Sequence, residues 1–527
     1  MTYNVIDKDW ILVRYLDGTS KYIGIRQAFC DAKIIKEIIP PVICGQRQYT
    51  VEFAQLVLLS TIVMAAYYKP HNRFAAKKDN YRDTQLANGL NLQVIMDYLD
   101  AWYDRFDLFD EKHPWMQNIA YKSLTDKDML KKKKVAKADT TFIATSNPFA
   151  PGANSVLSGF WRTYTSGHDY EYPIMHYQMT PRELAQALVY TPFYGSSSPG
   201  QYPVGLYSSA EVFISPSGKN LEEMILRHCF EIPQSTRPNT DDPDVLYDRP
   251  RWEWDNEEEC FLHPRSNFLA NAFFNGVEML ASTTLNKDGY VSFVYCPTAP
   301  KSLHPFKATE KYPAFNRETA LRDAMLYNPY IVCHTKLKDK QTVFTSVRWS
   351  ATREAGDLML TVTRKLPDFQ RAHILDCNQD APGIRIIYRN YADKQRSVYQ
   401  SQGKLEFPAD VLHLMNEDNH AIATKFQEKY NALRTALRAA LRQAGSSSTE
   451  AASIGRDLSN TAFEEFIALL NELKEQGCEC REELIQKHIQ VLKRLALRVM
   501  DDEAERYHSI VQFNDAHQQL LYALAKI

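Results

Sequence analysis

Residues 422–445 read IATKFQEKYNALRTALRAALRQAG, and this stretch decides the architecture of the C-terminal part of the chain. Ile422, Phe426, Tyr430, Leu433, Leu437 and Leu441 recur at spacings of three and four, which places them on one face of a helix. Gly445 and the serines after it end that helix in a loop. Downstream, Phe463, Phe466, Ile467, Leu470 and Leu473 mark a second amphipathic helix, and Ile485, Ile489, Leu492, Ala496 and Val499 mark a third. Asp501-Asp502 offers an N-cap for a fourth, running through Tyr507, Val511, Leu521 and Leu524 to the end. Four such helices with short connections bury their apolar stripes only against one another. We therefore expect a four-helix bundle over 409–527.

Upstream of Pro408 the texture differs. A short extended opening, Trp10 to Arg14, precedes an apolar helix from Val51 to Tyr68. Between Tyr170 and Phe407, strand-like stretches (291–295, 342–347, 358–362, 384–388) alternate with short helices. A Pro, Gly and Ser-rich loop region extends from Asn147 to Gly167. The expected fold class is α+β: a large irregular mixed N-terminal domain, 1–408, followed by the bundle. At 527 residues the chain exceeds the roughly 250–300 residues that one core sustains, which agrees with such a division.

Composition narrows the function. With 62 Lys plus Arg against 64 Asp plus Glu, the chain carries almost no net charge, so it does not coat nucleic acid over its whole surface. Local basic features remain. Arg434, Arg438 and Arg442 repeat every four residues along one face of the first C-terminal helix. Lys131, Lys132, Lys133 and Lys134 form a second run. Either can hold phosphates, and either can equally be a solvated face. The 30 Tyr and 25 Phe suit stacking surfaces as well as cores.

No apolar run is long enough to span a bilayer, and the opening MTYNVIDKDW lacks a basic region followed by an apolar one, so a cytoplasmic protein with no membrane partner is expected. The nine cysteines include only one close pair, Cys478 and Cys480, whose spacing does not suit a zinc knuckle. Cys30, Cys44 and Cys296 read as reduced, buried small hydrophobes. Gly200 and Gly205 mimic a phosphate loop, but Leu206 stands where its lysine belongs. No catalytic motif of a hydrolase or nuclease is recognisable, and the carboxylate runs Glu257 to Glu259 and Asp501 to Glu503 read as capping and solvation. No cofactor and no metal are expected.

Several segments together resemble the CasA family, the large subunits of type I-E CRISPR surveillance complexes (Cascade). Trp10-Ile11-Leu12-Val13 is similar to the family's N-terminal Trp-Ile-Pro-Val strand, with Leu12 in place of proline. His113-Pro114-Trp115-Met116-Gln117 resembles its His-Pro-Phe-Met-Gln. Tyr202 to Leu206 with Val212-Phe213-Ile214 resembles the segment after the family's glycine-rich loop. Tyr388-Arg389-Asn390 resembles the opening of its DNA-wedge hairpin, which closes near Lys404 to Phe407.

The resemblance implies site residues. Phe142 would be the aromatic at the crRNA end and the flanking motif, its other reading being a packed strand residue; Ala144 stands where the family has asparagine, and Asn147 is the nearest substitute. The loop from Gly195 to Gly200 would track a DNA minor groove by close backbone approach, although alone it reads as a surface loop. Lys287, in the turn Leu285 to Gly289, would enter the groove, which displays mostly acceptors. The segment Asn390, Tyr391, Ala392, Lys394 and Gln395 would be the duplex wedge, or else an ordinary exposed hairpin.

Implied with them is a non-catalytic subunit that recognises the protospacer-adjacent motif, starts R-loop formation and helps recruit a helicase-nuclease. Its partners would be crRNA, double-stranded target DNA and the backbone, small, 5′-handle-binding and crRNA-processing subunits. A structural scaffold without DNA readout, or a hydrolase of unknown type, are the alternatives.

Overall fold

The computed structural model describes residues 2–43, 46–67, 81–117, 143–144, 180–194, 212–229, 250–253, 280–281, 287–289, 294–295, 333–338, 341–346, 381–391, 399–408, 417–447, 461–462, 464–469, 471–473, 481–504 and 509–527, with the single positions 285, 291, 451 and 458. Helices and several small sheets share two hydrophobic cores.

The first core is built around one helix. Strand β1 (Ile11–Tyr15) buries Ile11, Val13 and Tyr15 on one face, as period-two alternation requires, and pairs antiparallel with β2 (Ser20–Ile23) and β3 (Ile35–Ile38) in the order β2-β1-β3. The β1–β2 turn is made by Asp17, whose carboxylate accepts hydrogen bonds from the Thr19 amide at 2.8 Å and hydroxyl at 2.7 Å, and by Gly18 at φ +90°. Helix α1 (Ile25–Cys30) follows, then the short pair β4 (Val42–Ile43) and β5 (Gln46–Arg47).

Helix α2 (Tyr49–Tyr67) is the apolar helix expected from the sequence, and Thr50 to Ala65 are buried without interruption. Contrary to the expectation that no apolar run is long enough to span a bilayer, its length and apolarity would allow a crossing, but its apolar window is 89% buried inside the protein, so it is a core helix. Packed around this core are α3 (Tyr81–Asn88), α4 (Leu92–Ala101), α5 (Pro181–Tyr194) and α6 (Leu221–Arg227). Thr180 and Glu183 open α5 with a capping box, each side chain bonding the other's backbone amide, with Pro181 at the first helical position.

Two further small sheets are β6 (Ile143–Ala144), β9 (Val294–Tyr295) and β8 (Leu280–Ala281) in the order β6-β9-β8, and the hairpin β10 (Cys333–Lys338) with β11 (Gln341–Ser346). The motif at 113–117 is structural. Trp115 is 1% exposed, 5.8 Å edge-on from Trp10 and 6.0 Å stacked on Phe106. Gln117 donates from Nε2 to the Leu108 carbonyl at 2.6 Å, and Met116 adopts φ +60° to make the turn.

A third three-stranded sheet, order β13-β12-β7, joins the two cores: β7 (Val212–Pro216), β12 (Gly383–Tyr391) and β13 (Tyr399–Pro408), all antiparallel. Val212, Ile214, Ile384 and Ile386 face the C-terminal helices, and Phe213 and Ile387 face the α2 core. The sheet is thus a common wall of the two cores.

Helices α7 (Glu417–Ala444), α8 (Arg481–Asp502) and α9 (Ile510–Ala525) make the second core together with Leu458, Ala462, Phe466, Leu469 and Leu473. Gly445, at φ +113°, ends α7 where expected. Residues 464–469 and 471–473 are helical; Phe463 and Leu470 lie outside the described side chains.

The fourth-helix start differs from expectation. Asp501-Asp502 closes α8, and Ser509 caps α9, its Oγ accepting from the Gln512 amide at 3.3 Å. The buried face of α9 is Phe513, Ala516, Leu520 and Leu524, whereas Val511 is 68% exposed and Leu521 is at the margin. Of the residues expected along this helix, Leu524 is buried, Val511 and Leu521 are exposed, and Tyr507 lies outside the described residues, because apolar residues occur on both sides of the helix and periodicity alone does not choose between them. Cys30 is likewise exposed rather than buried, while Cys229 is buried; Cys44 and Cys296 lie outside the described residues.

Candidate nucleic-acid interface

The β12–β13 ladder is the longest among the described residues. It pairs residue by residue from Gly383↔Pro408 to Asn390↔Ser401 and, after an irregularity, to Tyr391↔Tyr399. Strand β7 pairs only with Ile384 to Tyr388. Beyond that point, among the described residues, Arg389, Asn390 and Tyr391 continue with β13 alone, so the described hairpin extends past the third strand. Asn390 and Tyr391, expected in the turn, are therefore strand residues: the ladder closes later because the pairing of 399–402 continues to hold them. The connecting residues 392–398, including Ala392, Lys394 and Gln395, lie outside the described residues. Gly403 lies opposite Tyr388, whose ring covers its Cα; a Cβ there would meet the Tyr388 hydroxyl.

At the base of the hairpin is a buried polar network. Arg385, 5% exposed on β12, donates from Nη1 to Glu52 Oε1 on α2 at 2.8 Å and from Nη2 to Ser215 Oγ on β7 at 2.6 Å. Lys404 on β13 places its Nζ 3.6 Å from Glu52, 3.6 Å from Glu37 on β3 and 3.3 Å from Glu406. Ser215 Oγ is 2.9 Å from His228 Nε2, and His228 Nδ1 is 2.7 Å from the Met224 carbonyl. Only one assignment of protons satisfies the chain: Arg385 donates to Ser215, Ser215 donates to His228 Nε2, and His228 Nδ1 donates to Met224.

Such an arrangement demands a neutral imidazole, and burial, reinforced by the Arg385 charge, lowers the His228 pKa to about 3. Burial likewise raises the Glu52 carboxyl, against the opposing attraction of Arg385 and Lys404. The His228 effect is measurable. Its pKa lies below the roughly 6.5 of an unfolded histidine, so the unfolded chain binds the extra proton first and stability falls as pH drops from about 6.5 toward 3. Between pH 6.5 and 4 this is worth on the order of 2–3 kcal/mol. Urea unfolding should show an acid loss that is smaller by about that amount in His228→Asn.

The other predicted residues are dispersed. Lys287 is exposed in a turn at 287–289 framed by the Leu285↔Val291 bridge, with Gly289 at φ +85°. Arg442 is exposed on α7 and Arg438 is half-buried. Arg434 is occupied within its own helix, donating to Asn431 Oδ1 at 3.2 Å and lying 5.4 Å over the Tyr430 ring. Phe142, Asn147, Gly195, Gly200 and Lys131 to Lys134 lie outside the described residues. Glu52, His228 and Ser215 were not singled out from the sequence. A lone carboxylate one turn into an otherwise apolar helix is the signal that would have found the first of them.

Comparison with known proteins agrees with the fold. The family model for CRISPR-associated protein Cse1 matches residues 4–266. No curated protein sequence matches the chain. Among solved structures, Thermobifida fusca Cse1 superposes with a TM-score of 0.61 at 18% identity, covering 100% of this chain and 98% of that one. Thermus thermophilus CasA (Cse1) gives 0.60 at 15% identity, covering 100% and 99%. A chain of a CRISPR RNA-guided surveillance complex gives 0.55 at 16% identity, covering 99% of each. The chain belongs to the Cse1 family of CRISPR-associated proteins, the CasA-type large subunits of type I-E Cascade.

Proposed function

We propose that this protein is the DNA-binding subunit of an RNA-guided surveillance complex, recognising a protospacer-adjacent motif and starting duplex opening. The observation that carries the reading is the β12–β13 hairpin, a two-stranded ribbon that among the described residues continues past its third strand and is anchored by its root in the core. A ribbon of this kind can occupy the space left by an unstacked base pair, at a cost of a few kcal/mol that new contacts offset. Tyr391 supplies a stacking ring, and Lys394 and Gln395 supply polar groups.

Flank recognition is assigned to Lys287, Phe142, Asn147 and the Gly195 to Gly200 loop through the minor groove. Base pairing with crRNA supplies the long-range specificity. The C-terminal helices form a four-helix bundle over 409–527, whose Arg438 and Arg442, with Lys131 to Lys134, hold phosphates of the displaced strand. Arg434 contributes less, because its guanidinium is already engaged. The protein works in the cytoplasm among the other Cascade subunits, performs no chemistry itself, and helps recruit a helicase-nuclease once the R-loop is complete.

The test is a gel shift of the assembled complex on targets with randomised flanks. Lys287→Ala should relax the flank preference, and Tyr391→Ala should weaken binding to duplex targets by about tenfold, the scale of one lost stacking contact. A complex indifferent to both substitutions has no direct readout here and uses the chain as a scaffold.

A further inference from the structure

We infer that Glu52 is the post to which both strands of the hairpin are tied, and that Arg385 and Lys404 are positioning residues that set the direction in which the hairpin points. The inference rests on the hairpin being the duplex-opening element proposed above.

The geometry is specific to this arrangement. Arg385 from β12 and Lys404 from β13 converge on the same carboxylate, one at 2.8 Å and the other at 3.6 Å. Arg385 uses its planar fork to grip two different elements at once, Glu52 on α2 and Ser215 on β7. Lys404 adds a link to Glu37 on β3. The hairpin base is thereby referenced to the core helix, to its neighbouring strand and to the N-terminal sheet.

This network is costly to keep. Glu52 is 1% exposed, and both Glu52 Oε2 and Arg385 Nε lack a hydrogen-bond partner among the described residues. Buried ion pairs of this kind are commonly replaceable by apolar side chains without loss of stability, so this pair fits a role in fixing geometry better than one in holding the fold. The apolar contacts of Phe213 and Ile387 on the same sheet face attract without direction, whereas hydrogen bonds from a rigid guanidinium specify an angle.

Angle matters because of leverage. From Arg385 to Tyr391 the strand runs about 20 Å at its usual rise per residue. A tilt of about 10° at the root therefore moves the far end by about 3.5 Å, close to the roughly 3.4 Å rise between base pairs. A loosened root would leave the hairpin intact yet misaim it by one step of the duplex.

The experiment uses the assembled complex and a duplex target carrying 2-aminopurine at the pair next to the flanking motif, whose fluorescence reports opening. A second target carries the same pair already mismatched. The variants are Glu52→Leu/Arg385→Met, which removes both charges together, and the milder Glu52→Gln, which keeps the reading open should the double variant misfold. Tyr391→Ala is the control for the hairpin itself.

We expect both root variants to bind the mismatched target like wild type while opening the matched duplex on the order of tenfold less, as misplacing a positioned group by an ångström or more costs about that much or more. If Tyr391→Ala lowers opening and the root variants do not, the root assignment is wrong and the hairpin reading stands. If Tyr391→Ala leaves opening unchanged, the hairpin reading itself is wrong. Root variants that lose the mismatched target as well have lost binding rather than aim, which also overturns the inference.

Discussion

Replacing Arg385 alone with Met is expected to lower the free energy of unfolding by about 3–5 kcal/mol, the usual consequence of stranding one partner of a buried pair. The substitution leaves Glu52 at 1% exposure with only the Lys404 ammonium, 3.6 Å away, to compensate it. Burial already raises this carboxyl, and losing the largest opposing charge raises it further, so part of the loss should be recovered on acidification as Glu52 takes up a proton. Ser215 Oγ also loses the Nη2 donor it accepts from at 2.6 Å. Removing both charges, in Glu52→Leu/Arg385→Met, should return stability to within about 1 kcal/mol of wild type, because two apolar groups of similar volume carry no desolvation debt. Urea unfolding followed by tryptophan fluorescence measures both. Equal losses in the single and the double variant would mean that the pair is not coupled as the distances indicate.

Trp115→Ala should cost a similar 3–5 kcal/mol, for a different reason: it opens a cavity in a close-packed core. The ring is 1% exposed and sits between Trp10 and Phe106, with Phe106 in turn 5.2 Å from Trp252. Trp115→Phe should cost far less, under about 1.5 kcal/mol, because the indole Nε1–H has no hydrogen-bond partner among the described residues, so its removal strands no acceptor there while an aromatic ring is kept. Thermal unfolding of the two variants side by side checks this. A Phe variant as unstable as the Ala variant would show that the indole's second ring, not aromatic stacking, fills the site.

Much of the C-terminal core was legible from residue spacing. Ile422, Phe426, Tyr430, Leu433, Leu437 and Leu441 are all buried in it, as are Ile485, Ile489, Leu492 and Ala496. At α9 spacing identified only Leu524, because Val511 and Leu521 compete with Phe513, Ala516 and Leu520 for the role of buried stripe. With apolar residues on opposite faces, only the neighbouring helices decide which face is covered. Asp501-Asp502 misled for a related reason: acidic residues suit a helix start, but α8 simply continues through them because its own core contacts reach Met500.

The hairpin was recognisable from Tyr388-Arg389-Asn390 and from the Lys404 to Phe407 segment, yet its closing point was not, since a ladder ends where pairing ends and not where a turn-forming residue first occurs. Lys287 was placed correctly in a turn, because Asp288 and Gly289 are strong local turn signals.

What the sequence determined unaided was local: helix periodicity, the glycine that stops α7, the turn at 287–289 and the short motifs that mark a Cse1 relative. Each depends on residues within a few positions of one another. The tertiary structure alone decided that Glu52 meets Arg385 across 333 positions, that Trp115 completes a core rather than lining a site, and that one sheet serves both cores. Those outcomes follow from which surfaces exclude water together, and no spacing along the chain encodes a partner hundreds of residues away.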